Sequence, residues 1–471
     1  MLSSRRRSAR AAPGRIEQFD ALDNEIRANP WPYYRWLQQH PQRRIYKLPF
    51  EENFYLVHHH DDVVHVLMDP LTFSSQIFHD REIPFFPMMM GDAHRRIRGV
   101  VQTLFTPGAI RSLTPAITRV VQRCTGDFLR AGGGDCVALW AGMIPLAVIA
   151  SIVGHPDDDR SLARLREQAI ALNVEAFPVG GTGERDAVQQ PVLKRVIDSA
   201  RLLALAPQAL RLLTLIGASG AAELQRYIGS RELPADAPRQ YVSRGDTVQR
   251  KHQVLRLLVR LAELFRAHVR HPDPDQVISR FVQSHRDGQI SMVEMMMACL
   301  IILLAGFGTS SSLLGCGVYR LASDPALYSA LKSQPERIDG FVEELLRWYT
   351  PLQRTARRVT APVELGGTRL PKDAQLIVLL AAANMDEARF QTPYAFDAGR
   401  AYAAQHIAFG KGIHVCLGAP LARLEARLAF SHLLERTRSL HIGPLATPSY
   451  IVDRDTGMYG FERLQIVAEP I

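Results

Sequence analysis

A cysteine set among glycines, just ahead of a helical pattern, carries the most distinctive chemistry in this chain. The stretch His406-Ile-Ala-Phe-Gly-Lys-Gly-Ile-His-Val-Cys-Leu-Gly-Ala-Pro-Leu-Ala-Arg423 places Gly410, Gly412 and Gly418 around Cys416. Glycine lets a backbone turn through positive φ and approach a flat group closely. Pro420 stands where a first helical turn tolerates it, and Leu421, Leu424 and Leu428 follow at helical spacing. The sulfur is therefore expected near a helix N-terminus, whose free N–H groups favour a thiolate. A lone cysteine is more often a buried core thiol. What separates this one is the spacing Phe409-x-x-Gly412-x-x-x-Cys416-x-Gly418, too specific to arise readily by chance; a thiolate is also the state in which a cysteine can ligate a haem iron.

Three further patterns could act with it. In Gly91-Asp-Ala-His-Arg-Arg-Ile-Arg98, His94 and Arg98 stand four apart and share one face of a helix; alone, that is usually a solvated basic face. A long apolar helix is expected over about 291–321, with Ala305-Gly306-Phe307-Gly308-Thr309-Ser310 near its middle. Two glycines inside a helix cost about 1 kcal/mol each against alanine, so the pair marks a kink or a close approach by something large. The Thr309 hydroxyl can donate and accept hydrogen bonds, although a mid-helix threonine commonly bonds back to the carbonyl one turn earlier. Glu344 and Arg347 stand three apart on a helix starting near Pro335, placed roughly opposite its apolar stripe, which by itself reads as a solvated ion pair. Adjacent His58, His59 and His60 cannot all face one metal from a strand or helix, so a strand end before an Asp61-capped helix is the expectation there.

Taken in order, these motifs resemble the cytochrome P450 family from about residue 25 to 465. The resemblance implies a mainly α fold with small β-sheets, a triangular prism holding haem b between the long central helix and the cysteine-loop helix. It implies Cys416 as the iron ligand, with Phe409, Gly410, His414 and Gly418 in the binding loop. His94 and Arg98 would hold one haem propionate and Arg357 another, with Arg354 as the fallback. Glu344, Arg347 and Arg400 would form a buried network behind the loop. Ala305, Gly306, Gly308, Thr309 and Ser310 would lie over the haem, Thr309 helping to deliver protons to bound oxygen. Here the chain departs from the family: the acid expected before the threonine is Gly308. Ser310, water or a polar group of the substrate would then supply protons, or the enzyme runs a chemistry with less proton demand, such as a peroxygenase, dehydratase or coupling reaction. A non-enzymatic haem sensor or carrier is a minor alternative. The implied reaction is monooxygenation of an apolar small molecule by dioxygen and two electrons, in secondary or lipid metabolism.

Composition sets the remaining bounds. The 471 residues are 47% hydrophobic and 22% charged, an ordinary globular balance that can bury a cofactor. Five cysteines without a C-x-x-C pair indicate neither a zinc site nor a disulfide framework and suit the cytoplasm. The net charge of +9 comes without a nucleic-acid-reading motif, so an acidic protein partner is expected. No flavin or ferredoxin module is recognisable, and a ferredoxin with its reductase is the expected electron source. Arg95, Arg96, Lys411, Arg423 and Arg427 are the candidate docking cations. Residues 1–20 read as a basic, disordered tail, and 21–471 as one domain with an enlarged region about 178–250. That insertion is read as an apolar lid, an oligomer contact or a membrane-surface patch. The apolar runs 137–154 and 295–308 read as buried helices rather than membrane spans. The pocket would be lined by Phe85, Phe86, Met88 to Met90 and Phe307, for a terpenoid, polyketide, fatty acyl or carrier-bound substrate.

Overall fold

The structure is a computed structural model that describes residues 29–39, 44–48, 53–77, 86–156, 158–176, 206–228, 247–272, 278–443, 449–450 and 457–471. The basic tail, Phe85 and most of the 178–250 insertion lie outside the described residues. The main helices are α1 (Trp31–Gln38), α2 (His60–Met68), α3 (Gly91–Gln102), α4 (Pro107–Arg130), α5 (Met143–Ile152), α6 (Asp159–Ala176), α7 (Ala206–Ile228), α8 (Thr247–Arg270), α9 (Ile278–Arg286), α10 (Met292–Ser323), α11 (Pro325–Ser333), α12 (Ile338–Tyr349) and α13 (Ala419–Arg436).

The long helix α10 is the axis of the molecule. Ser291 caps it: its side chain accepts the Glu294 N–H, and the Glu294 carboxylate accepts the Ser291 N–H in return, satisfying two backbone donors that a helix start leaves open. Its residues are apolar almost all round and mostly buried, which is the pattern of a helix enclosed on every side. Helices α5, α7, α12 and α13 pack against it. It is long and apolar enough to cross a membrane, but most of that apolar length is buried inside the protein. The run 137–154 is likewise interior: a π-turn over Val137–Ala141 leads into α5, where Pro145 falls within the first turn.

Small sheets complete the frame. β1 (Ile45–Lys47) and β2 (Phe54–Val57) pair antiparallel, with Ile45 opposite Val57. β2 runs parallel to β8 (Gln375–Leu379), which pairs antiparallel with β5 (Arg354–Val359), and β3 (Phe73–Ser74) closes the sheet in the order β1-β2-β8-β5-β3. A hairpin of β6 (Val363–Leu365) and β7 (Thr368–Leu370) and the sheet β4-β12-β9 (Gly133–Asp135, Gln465–Pro470, Thr437–Ile442) lie elsewhere, with a two-stranded pair β10 (Ser449–Tyr450) and β11 (Phe461–Arg463).

Several expectations need correction. Helix α2 starts at His60 with His59 as its cap and no side-chain capping bond, so Asp61 sits in the first turn, where its charge suits the helix dipole. Helix α7 is kinked at Gly217, whose φ is 72°, and Pro207 lies at its start, where a proline is tolerated. The glycine pair in α10 produces no kink. A Cβ on Gly306 would lie 2.0 Å from Ile149 Cδ1, so what approaches there is a side chain of α5. Phe307 is buried and turned toward Gly142, which makes it packing rather than a pocket wall.

Candidate active site at the cysteine loop

The loop before α13 turns where its glycines allow. Gly410 and Gly412 have φ of 68° and 72°. At Gly412 a Cβ would also stand 2.3 Å from the Leu67 carbonyl oxygen, so neither the conformation nor the space admits a side chain. Gly418 departs from expectation. Its φ is −78° and it caps α13 in a helical conformation; any residue can adopt that. The Cys416 N–H donates to the Phe409 carbonyl at 2.9 Å, tying the two ends of the loop together.

Cys416 is solvent-accessible, although protein atoms crowd about its sulfur. Burial pushes its thiol pKa up. The N–H groups of Gly418 and Ala419 and the cations Arg98 and Arg423 act in the opposite direction without prevailing. The helix end favours the thiolate as expected, but a bound metal is needed to fix it.

Beside the cysteine, four basic groups converge with no carboxylate against them among the described residues. His94 is buried on α3, its ring centroid 4.4 Å from that of His414. Arg98, one turn further along α3, donates to the Val415 carbonyl at 2.6 Å. Arg357 is buried on β5 and, among the described residues, donates to the Ala356 carbonyl and the Thr355 hydroxyl. The His414 pKa falls to about 3 through burial first, then the charges of His94, Arg357 and Arg98. Burial, then Arg98 and Arg95, lowers that of His94; burial alone brings Arg357 down to about 10. Among the described residues no carboxylate acts on any of the four, and the one group of opposite sign felt by Arg98 is Cys416. His94 Nε2 and both ring nitrogens of His414 are buried without a hydrogen-bond partner. Buried donors and cations in this state are costly unless an anion joins them. A flat macrocycle with two carboxylates and an iron for the sulfur fits this gap. Arg354 sits instead over Gly457, away from the cluster.

On α10, Met297, Gly306 and Thr309 are half-buried and Ala305 is exposed, whereas Gly308 and Ser310 are buried; Ala305 and Thr309, about 40° apart at 100° per residue, share a face. The Thr309 hydroxyl donates to the Ala305 carbonyl at 2.6 Å.

Behind the loop, Glu344 and Arg347 are fully buried, not solvated. Arg347 Nε and Nη2 each donate to the Glu344 carboxylate at 2.8 Å, and its Nη1 and Nη2 reach the Asn384 and Pro393 carbonyls. Arg400 Nε donates to both Glu344 oxygens, at 3.2 and 3.1 Å. Asn384 continues the frame: its Oδ1 accepts the Ile407 N–H at 2.8 Å. The docking cations are less available than their sequence suggests. Arg96 is paired bidentately with Glu294, Arg423 with Glu343, and Arg95 with Asp92. Glu343 and Glu425 are the functional candidates that sequence reasoning missed. A second acid beside Glu344 was the available signal for the first; a lone Glu in an apolar helical run was the signal for the second. Among the described residues no group of three or more metal-binding side chains occurs, and the rings of His58, His59 and His60 face Tyr46, Asp386 and Phe390 respectively.

Residues 245–443 match the family model described as Cytochrome P450. The cytochrome P450 monooxygenase PikC of Streptomyces venezuelae is 29% identical over 436 residues, covering 89% of this chain and 86% of that protein. The 6-deoxyerythronolide B hydroxylase of Saccharopolyspora erythraea is 38% identical over 162 residues, 34% of this chain and 40% of its own length. Among solved structures, CYP109E1 from Bacillus megaterium in complex with testosterone superposes with a TM-score of 0.72 at 23% identity, covering 94% of this chain and 99% of that one. Matching motifs, fold and relatives together place the chain in the cytochrome P450 family of haem-dependent oxidoreductases.

Proposed function

We propose that this enzyme is a monooxygenase that inserts oxygen into an apolar small molecule, with haem b ligated by Cys416 and electrons delivered by a ferredoxin and its reductase. The observation that carries the reading is the cluster of His94, Arg98, Arg357 and His414, which has no carboxylate counter-anion among the described residues, beside an accessible cysteine. Arg98 and Arg357 would hold the two propionates by charge, and His94 and His414 would add ring N–H donors. When bound, the haem supplies oxygen activation, to which a thiolate ligand contributes electron density. Phe409, Gly410 and Gly418 shape the loop that presents the sulfur.

Along α10 the chain's own residues would bind substrate, exclude water and hold a proton. Ala305 and Met297 offer an apolar surface to the substrate, and Phe86 with Met88 to Met90 extends it. The Thr309 hydroxyl proton is held by the Ala305 carbonyl; to serve oxygen chemistry it must turn from that acceptor to the reacting oxygen. Gly308 brings no carboxylate to relay the next proton and Ser310 is buried, so water or a polar group of the substrate completes the delivery. The same absence favours a second reading, a peroxide-driven or rearrangement chemistry on the same scaffold. The five cysteines are free, which suits a cytoplasmic location. A polyketide-like, terpenoid or acyl substrate, free or carrier-bound, matches the apolar lining and the hydroxylase among the relatives. The test is spectral. Purified wild-type enzyme should show the red-shifted ferrous–CO band of a thiolate-ligated haem and a spin shift with members of such a library. Cys416→Ser should lose the band; a wild type without it would refute the ligand assignment.

A further inference from the structure

Behind the loop a second set of charges is assembled that the reading above does not use. Arg423 Nε and Nη2 donate to the Glu343 carboxylate, at 2.5 Å to Oε1 and 2.9 Å to Oε2, the fork geometry in which arginine binds a carboxylate most firmly. His406 Nδ1 accepts the Ala408 N–H at 3.1 Å, so its proton sits on Nε2, the atom 3.3 Å from Glu343 Oε2. The Arg423 guanidinium stands 4.7 Å from the centroid of the Phe409 ring, in range for attraction to its face. Phe409 in turn accepts the Cys416 N–H. Burial would push the Glu343 pKa up, but the two hydrogen bonds from Arg423, with the His406 ring close beside the carboxylate, hold it near 2, so Glu343 is ionised at neutral pH. Arg423 is also one of the two cations whose charge reaches the Cys416 sulfur.

We propose that Glu343 is a positioning residue for the sulfur ligand: it fixes Arg423 against Phe409 and offsets the guanidinium charge, so that the pair sets how readily an iron held by Cys416 takes up an electron. The inference rests on Cys416 being the ligand. A cation near the sulfur draws electron density from the metal and eases its reduction; a neighbouring anion weakens that pull. The two partners therefore act in opposite senses, although each removal breaks the same ion pair. Loss of packing or loop order alone would move both variants the same way.

The experiment is spectroelectrochemical titration of the purified holoenzyme in four forms: wild type, Glu343→Gln, Arg423→Gln and the double variant. Glu343→Gln should favour the reduced iron by about tenfold, a rise of ~59 mV for one electron. Arg423→Gln should disfavour it by a similar factor, and the double variant should return toward wild type. Arg423→Lys, which keeps the charge without the fork, should recover most of the potential lost in Arg423→Gln. The ferrous–CO band separates the two possible failures. If wild type lacks the thiolate band, the ligand assignment fails. If the band is present and both single variants shift together, or neither shifts, the tuning role of the pair is overturned.

Discussion

At the scale of single residues, the proposed function separates a cysteine loop that resembles the family's from a central helix in which Gly308 stands where that resemblance leads one to expect an acid. Gly308 occupies the position of a carboxylate, in a buried stretch of α10 where an added acid would have to be hydrated or paired. Gly308→Asp places a proton donor one residue before Thr309. It is expected to change the ratio of product formed to oxygen consumed, read by oxygen-electrode and product assays on the same sample. An unchanged ratio in a variant that still binds substrate would show that proton supply does not pass through this position.

Elements impose a different kind of constraint, because here close packing decides. Helices α5 and α10 meet where Gly306 leaves room for Ile149, and overfilling a packed core costs about 1–3 kcal/mol. Gly306→Ala should lower thermal stability by that amount, and Ile149→Ala in the same chain should recover part of it. Independent additive losses in the double variant would refute the contact. The Glu344–Arg347–Arg400 network joins α12 to the segment before the loop. Both Glu344 and Arg347 are fully buried, and removing one partner of a buried ion pair leaves the other uncompensated at about 3–5 kcal/mol. Glu344→Gln should therefore reduce soluble, haem-loaded protein far more than Arg95→Gln, whose ion pair is exposed.

For the whole molecule, the buried acid Glu425 on α13 ties stability to pH. Burial alone raises its pKa from 4.5 to about 8, and its Oε1 has no hydrogen-bond partner. The folded protein thus keeps a proton that the unfolded chain has already released. Stability from this group is complete below about pH 4.5, falls as pH rises, and reaches its floor once pH passes about 8. Glu425→Gln, isosteric and uncharged, should gain thermal stability over wild type as pH is raised from 5 to about 8. A constant difference across that range would show that Glu425 is ionised in the fold.

The sequence by itself determined the cysteine loop, the long central helix and the order of the motifs, because each depends on local periodicity or on residue types that few other contexts need. Positive φ at Gly410 and Gly412 and the length of α10 were readable for that reason. Tertiary structure decided the rest. Whether Glu344 and Arg347 face water depends on what packs over them, and a helical wheel shows only direction. That Gly306 yields to Ile149, that Arg357 rather than Arg354 joins His94 and His414, and that Arg423 belongs to Glu343 are long-range placements. Charge at one position is visible in sequence; the partner that spends or spares it is set by residues 80 positions away.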